Sequence, residues 1–330
     1  MTVSSERRET ALALDRRVPD FFIVGHHKCG TTALYEMLRG HEQIYMPELK
    51  EPRFFASDLR YRTPSRTGRV PETLDEYLSL FEGARPDQRA GEASPLYLWS
   101  HTAAGLIAEV QPAARIIAIL REPASFLRSL HIHWVLHHIE PERDLRKAIS
   151  LEDDRRQGRH VPRDSYWPQA LMYSDQVRYV EQLRRYHDVF GAEQVLVLIY
   201  DDFRRDNEAT VRRVLRFLEV DEPSQIEVIE ANPTTRSIRA RRLDAMARAL
   251  YAGRGPVSAT AKAGVKALLP RRVRRDAFQR VRRRVAWGKV QAPDEQVMIE
   301  LRGRFKGEVV ALSEYLDRDL VSLWGYDSVD

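Results

Sequence analysis

A chain of 330 residues with 43% hydrophobic positions can bury a full core as one large domain, and a formal charge of +5 favours anionic ligands without requiring nucleic acid. Its one cysteine, Cys29, has no partner for an internal disulfide, gives no sign of a cysteine-built metal site, and fits a reducing, cytoplasmic setting. The polar start of the chain and the shortness of its apolar runs predict neither a signal peptide nor a membrane span.

Residues 21–24, Phe-Phe-Ile-Val, form a short β-rich run that stops at Gly25. A small polar loop and an amphipathic run over Thr31–Arg39 follow, so the unit reads as strand, phosphate-type loop, helix. Ile44-Tyr45-Met46-Pro47 is strand-like. A second aliphatic run, Arg115–Leu120, stops at Arg121-Glu122-Pro123 and leads into a helix predicted over 124–138. The third unit joins a helix over 175–190, a turn at Gly191, a strand over 195–200 and a helix over Asn207–Leu218. Continuous aliphatic strands alternating with helices predict an α/β, P-loop-type three-layer fold with a central parallel sheet covered by helices on both faces. Ligands then belong at the carboxyl ends of the strands, where Gly25, Arg121 and Tyr200 fall.

Between the second and third units, 141–165 carries charges of both signs with Gly158 and Pro162, and reads as a surface excursion or lid. Residues 271–284 are strongly basic, yet Val273, Ala277, Val281 and Val285 recur every fourth position, which favours a solvated amphipathic helix over a polyanion-binding segment. Phe305, Val309, Leu312, Leu316, Leu320 and Trp324 have the spacing of a closing helix. The whole of 1–330 is expected to be one domain, with the nucleotide-binding loops in 18–220 and a helical part over 221–330.

Gly25-His26-His27-Lys28-Cys29-Gly30-Thr31-Thr32 puts two glycines, a lysine and adjacent hydroxyls at a strand-to-helix junction, where backbone N–H groups and a helix N-terminus can cradle a phosphate. The glycine spacing is that of a Walker A loop, but the lysine that should follow the second glycine is replaced by Thr31, and Lys28 lies inside the loop instead. This argues against a P-loop kinase or NTPase. Arg121-Glu122-Pro123-Ala124-Ser125-Phe126-Leu127-Arg128-Ser129 supplies a second anion site, an arginine at a strand end with Ser129 two turns into the following helix. Two anion sites at two strand ends describe a ligand with separated phosphates. A nonenzymatic nucleic-acid- or polyanion-binding module would leave them unexplained.

His27-Lys28-Cys29-Gly30-Thr31-Thr32-Ala33-Leu34 resembles the 5′-phosphosulfate loop of sulfotransferases that use 3′-phosphoadenosine 5′-phosphosulfate (PAPS), above all the heparan-sulfate type and the bacterial members. Arg121 and Ser129 match the family's 3′-phosphate segment, and Tyr200 its strand-end tyrosine by the adenine. The resemblance thus assigns His27, Lys28, Cys29, Gly30, Thr31, Thr32, Ala33, Arg121, Ser129 and Tyr200 to the cofactor, with Lys28 and Arg121 in place of a metal as counter-charge. Lys50-Glu51-Pro52-Arg53-Phe54-Phe55 is similar to the family's Lys-Glu-x-x-Phe-Phe segment, whose glutamate is the candidate base. Sulfuryl transfer needs a proton removed from the acceptor and charge offset on the departing phosphate, which Glu51 and Lys28 would provide; His27 and His26 are rival bases. Gly91-Glu92-Ala93-Ser94-Pro95-Leu96-Tyr97 resembles an acceptor-side segment, departing from it at Ala93, where lysine is frequent. Lys50, Arg53, Ser94, Tyr97 and His133 are therefore expected around a small-molecule, sugar or lipid acceptor. His133 and His137 share a helix face, but they continue the Ser129 helix without a zincin glutamate, so packing or acceptor contact is favoured over a metal.

Overall fold

The computed structural model describes residues 16–59, 70–162, 167–226, 236–238, 287–289 and 292–329. Five parallel strands form the central sheet in the order β2-β3-β1-β4-β5: β1 (Phe21–Gly25), β2 (Ile44–Tyr45), β3 (Arg89–Ala93), β4 (Arg115–Leu120) and β5 (Val195–Ile199). Each of Phe21, Ile23, Ile117 and Ile119 is fully buried, as expected of strands covered on both faces, and burying one such side chain stabilises by about 1.5–3 kcal/mol. Gly91 of β3 pairs with Phe21, and a Cβ there would sit 2.1 Å from the Phe21 ring, so only glycine lets the two strands approach.

From β1 the chain departs through α1 (Thr31–Arg39) toward β3 on one side, whereas β4 connects to β5 on the other side through α4 (Pro123–His137) and α7 (Tyr179–Phe190). Right-handed crossovers in opposite directions place helices on opposite faces. Accordingly α1 packs with α9 (Asn207–Leu218), and α3 (Ala103–Val110) packs with α7. The strand order reverses at β1, so the crevice lies beyond the carboxyl ends of β1 and β4.

Several boundaries differ from those the sequence predicts. Tyr200 opens the short helix α8 (Tyr200–Arg205) instead of ending β5, and the helix expected from 175 begins with a 3₁₀ turn at Ser174–Val177 before α7. Within 141–162 the chain forms α5 (Leu145–Ser150) and α6 (Glu152–Arg156), anchored to the body. Arg155 makes a bidentate pair with Glu140, both fully buried, at 2.8 Å for each bond, and Tyr173 donates to the same carboxylate at 3.1 Å. The closing helix is interrupted: α10 (Glu295–Tyr315) buries Met298, Leu301, Phe305, Val309 and Leu312, then the chain turns through Asp317 at φ 47° into the short α11 (Leu320–Leu323). Ser313 Oγ accepts from Leu320 N at 2.9 Å and fixes that turn. α10 packs on α4 and α7. A two-stranded antiparallel ladder pairs β6 (Arg236–Ile238) with β7 (Trp287–Lys289). The basic segment 271–284 lies outside the described residues. Among the described residues, no helix is long and apolar enough to cross a membrane.

Candidate active site

Beyond β1 the loop turns through two left-handed residues, Lys28 at φ 61° and Gly30 at φ 87°. A Cβ on Gly30 would meet the Phe203 ring at 2.9 Å, so packing and backbone both demand glycine. As the N-cap of α1, Gly30 has no side chain to cap with, leaving the amides of the first turn available at the positive end of the helix. Thr31 and Ala33 are buried and Thr32 half-buried, so the loop offers mainly backbone donors at those positions. Cys29 is buried, its thiol bonded to the His27 carbonyl at 3.3 Å, and burial pushes its pKa up to about 12; it offers backbone and packing, not a thiolate. Burial, and then the charge of Arg121, lower the Lys28 ammonium from its ordinary range.

Arg121, at the end of β4, ties three elements together. Its Nη1 donates to the Lys28 carbonyl at 3.1 Å, its Nε to Ser125 Oγ at 3.1 Å, and its guanidinium lies 4.8 Å from the Tyr200 ring centroid. Glu122 caps α4 by accepting from Ala124 N at 3.0 Å and Ser125 N at 2.6 Å, and Tyr326 OH donates to it at 2.6 Å. The positive end of α4 is therefore occupied, and an anion here must be held by side chains. Arg128 supplies a second guanidinium: burial and the charge of Arg121 both lower it, the mark of two cations held close. Ser129, beside it, is buried.

Glu51 comes from the segment alongside the carboxyl end of β3. Lys50 Nζ donates to its Oε1 at 3.0 Å and Arg53 Nη2 to its Oε2 at 2.5 Å. Burial alone would raise this carboxyl, but the charges of Lys50 and Arg53, with the Arg53 hydrogen bond, outweigh it and hold the group well below the usual carboxylate range. His27 packs edge-on against Trp134 and Trp167, with ring centroids 5.6 Å and 6.4 Å away, and burial pulls it down to about 3 despite the Glu51 charge. His26 is fully buried, its Nε2 donating to Gln182 Oε1 at 2.6 Å, and burial lowers it to about 4. His133 lies 4.0 Å from His137, ring to ring; burial, then His137 and the Lys28 charge, lower it well below its ordinary value, while the Glu51 charge opposes them. The loop, the Glu51 segment and one face of α4 thus lie close enough for their ionisable groups to act on one another. Among the described residues, no group of three or more His, Cys, Asp or Glu side chains is placed to hold a metal ion.

Ser94 and Tyr97, expected on the acceptor side, are instead fully buried beneath the Glu51 segment. Ser94 Oγ accepts from Arg53 N at 3.1 Å, and Tyr97 OH accepts from Phe55 N at 3.3 Å while donating to Glu92 Oε2 at 3.0 Å. Glu92 and Arg128 lie inside the quoted motifs, but the motifs assign them no role. A lone carboxylate among the small residues of Arg-Ala-Gly-Glu-Ala, and an arginine directly before Ser129, were the available signals.

Carbohydrate sulfotransferase 15 of Mus musculus is 26% identical over 250 residues, and that of Homo sapiens 25%. The alignments take in 62% of this chain and only 44% of each relative. A crystal structure of a sulfotransferase from Alicyclobacillus acidocaldarius superposes with a TM-score of 0.64 at 26% identity, covering 93% of this chain and 99% of that one. The sulfotransferase domain family matches residues 18–250, a span that holds both cationic loops, Glu51 and all five strands, and so the chain belongs to the sulfotransferase family.

Proposed function

We propose that this sulfotransferase moves the sulfuryl group of PAPS to a hydroxyl or amine of a carbohydrate or other small acceptor. The pair of cationic sites at adjacent strand ends carries this reading: Lys28 with the uncapped α1 amides after β1, and Arg121 with Arg128 and Ser129 after β4. Two such sites, on adjacent loops joined by the Arg121–Lys28 hydrogen bond, suit a nucleotide with a 5′-phosphosulfate and a 3′-phosphate, with Tyr200 beside the adenine. PAPS supplies the activated sulfuryl group when bound. Glu51 is ionised and positioned to take the acceptor's proton at a carboxylate oxygen, and its basicity rises as Lys50 and Arg53 come to share their charge with bound anions. Lys28 offsets negative charge developing at the loop. Lys50, Arg53 and His133 border the acceptor side. The carbohydrate sulfotransferase relatives support a sugar acceptor, and the lone, buried Cys29 supports a cytoplasmic setting.

Incubation with sulfur-labelled PAPS and a panel of glycans, phenols and lipids tests the reading, with Glu51→Gln in parallel. Labelled product is expected from a carbohydrate, with turnover in Glu51→Gln lower by about a hundredfold and nucleotide affinity retained. No labelled product from any acceptor would contradict the activity. Full turnover in Glu51→Gln would move the base to His27 or His26, which His27→Asn and His26→Asn then separate.

A further inference from the structure

The segment that presents Glu51 is held against its own backbone preference. Glu51 at φ 62° and Arg53 at φ 57° are both in the left-handed region, which a Cβ disfavours. Their alternate amides are pinned to one stretch of chain: Glu51 N donates to Ala93 O at 3.1 Å, Arg53 N to Ser94 Oγ at 3.1 Å, and Phe55 N to Tyr97 OH at 3.3 Å. The last of these depends on Glu92. A phenolic hydroxyl has one proton, and Tyr97 spends it on Glu92 Oε2, which leaves its lone pair for Phe55 N. Tyr77 donates to the same oxygen at 2.8 Å, and its ring stacks on Phe54 at 4.9 Å and meets Phe55 edge-on at 5.0 Å. Glu92 itself is fully buried in β3, paired with Phe22 of β1, so it acts from inside the sheet.

We infer that Glu92 is a positioning residue for the base: acting through Tyr97 and Tyr77, its carboxyl oxygen fixes the left-handed segment that aims Glu51. This rests on the reading of Glu51 given above. What the role requires of residue 92 is a hydrogen-bond acceptor for two hydroxyls, which glutamine retains and methionine lacks.

Tyr97→Phe, which removes one oxygen, is the main test, with Glu92→Met and Glu92→Gln beside it. Two readouts are needed: steady-state turnover, and hydrogen exchange of the Glu51, Arg53 and Phe55 amides in the protein without acceptor or nucleotide. Tyr97→Phe and Glu92→Met should each lower kcat by about tenfold or more, since small displacements of a reacting group carry such losses. The Phe55 amide should exchange at least about fivefold faster, the effect of losing one hydrogen bond. Affinity for 3′-phosphoadenosine 5′-phosphate should stay within about twofold of the parent protein's, a split that general unfolding would not produce. Glu92→Gln should recover most of the turnover lost in Glu92→Met. In a Glu51→Gln background Tyr97→Phe should lower turnover no further, because both changes act on one group. Parent-like exchange and turnover in Tyr97→Phe overturn the inference, as does a fall in nucleotide affinity in step with turnover. Full turnover in Glu51→Gln alone overturns the reading of Glu51 itself, while the exchange data still decide what holds the segment.

Discussion

Replacing Glu92 with glutamine keeps the shape of a fully buried side chain and removes its ability to ionise. Burial pushes this carboxyl from its ordinary 4.5 up to about 7, against the hydrogen bonds it accepts, and the nearby Glu51 charge adds to the rise. Among the described residues its Oε1 has no hydrogen-bond partner, so the ionised form is poorly compensated. The folded state therefore binds this proton more tightly than the unfolded chain does. The resulting stabilisation is complete below the unfolded pKa of 4.5 and is lost as pH rises through about 7. At about 1.4 kcal/mol per pH unit between the two pKa values, the loss approaches about 3 kcal/mol. Urea unfolding followed by tryptophan fluorescence at half-unit steps from pH 5 to 8 measures it. The difference in unfolding free energy between the parent and Glu92→Gln should shift toward the variant by up to about 3 kcal/mol over that range, whatever offset the buried amide adds at every pH. Parallel stability profiles would show that the carboxyl titrates normally and that its burial is relieved by solvent.

Arg121→Ala should weaken a nucleotide carrying a 3′-phosphate by about 1.5–3 kcal/mol, and adenosine 5′-phosphosulfate, which lacks that group, by much less; calorimetry on the two ligands checks it. Equal weakening would assign Arg121 only to holding the loop through Lys28 and Ser125. Arg155→Met should cost about 3–5 kcal/mol in unfolding free energy, because Glu140 is left charged in a fully buried site, and Glu140→Gln added to it should restore a large part of the loss.

The aliphatic strands were legible because strands buried on both faces need unbroken runs, and Arg115–Leu120 and Val195–Ile199 are such runs. β3 was not, since Arg-Ala-Gly-Glu-Ala lacks large apolar residues; it is buried through its place between β1 and β2. The strand-to-helix turns at Gly25–Thr31 and Leu120–Pro123 could be read directly, because sequence-local glycines, prolines and charges mark them. The contacts of Ser94 and Tyr97 could not, since nothing local states that one hydroxyl receives the Arg53 amide and the other bridges Phe55 N and Glu92. Nor could the bidentate Arg155–Glu140 pair, 15 residues apart, be told from surface charge in a segment rich in both signs. Tertiary burial, invisible in composition, decides such cases.

The proposed function depends on recognition of a doubly phosphorylated nucleotide by two cationic loops. Isothermal calorimetry of the full chain with 3′-phosphoadenosine 5′-phosphate, in buffer containing EDTA, tests it most directly. One site per chain is predicted, with affinity weakened about tenfold or more by Lys28→Ala or Arg121→Ala and no comparable binding of ATP with magnesium. Tight binding of ATP with magnesium, and none of 3′-phosphoadenosine 5′-phosphate, would contradict it.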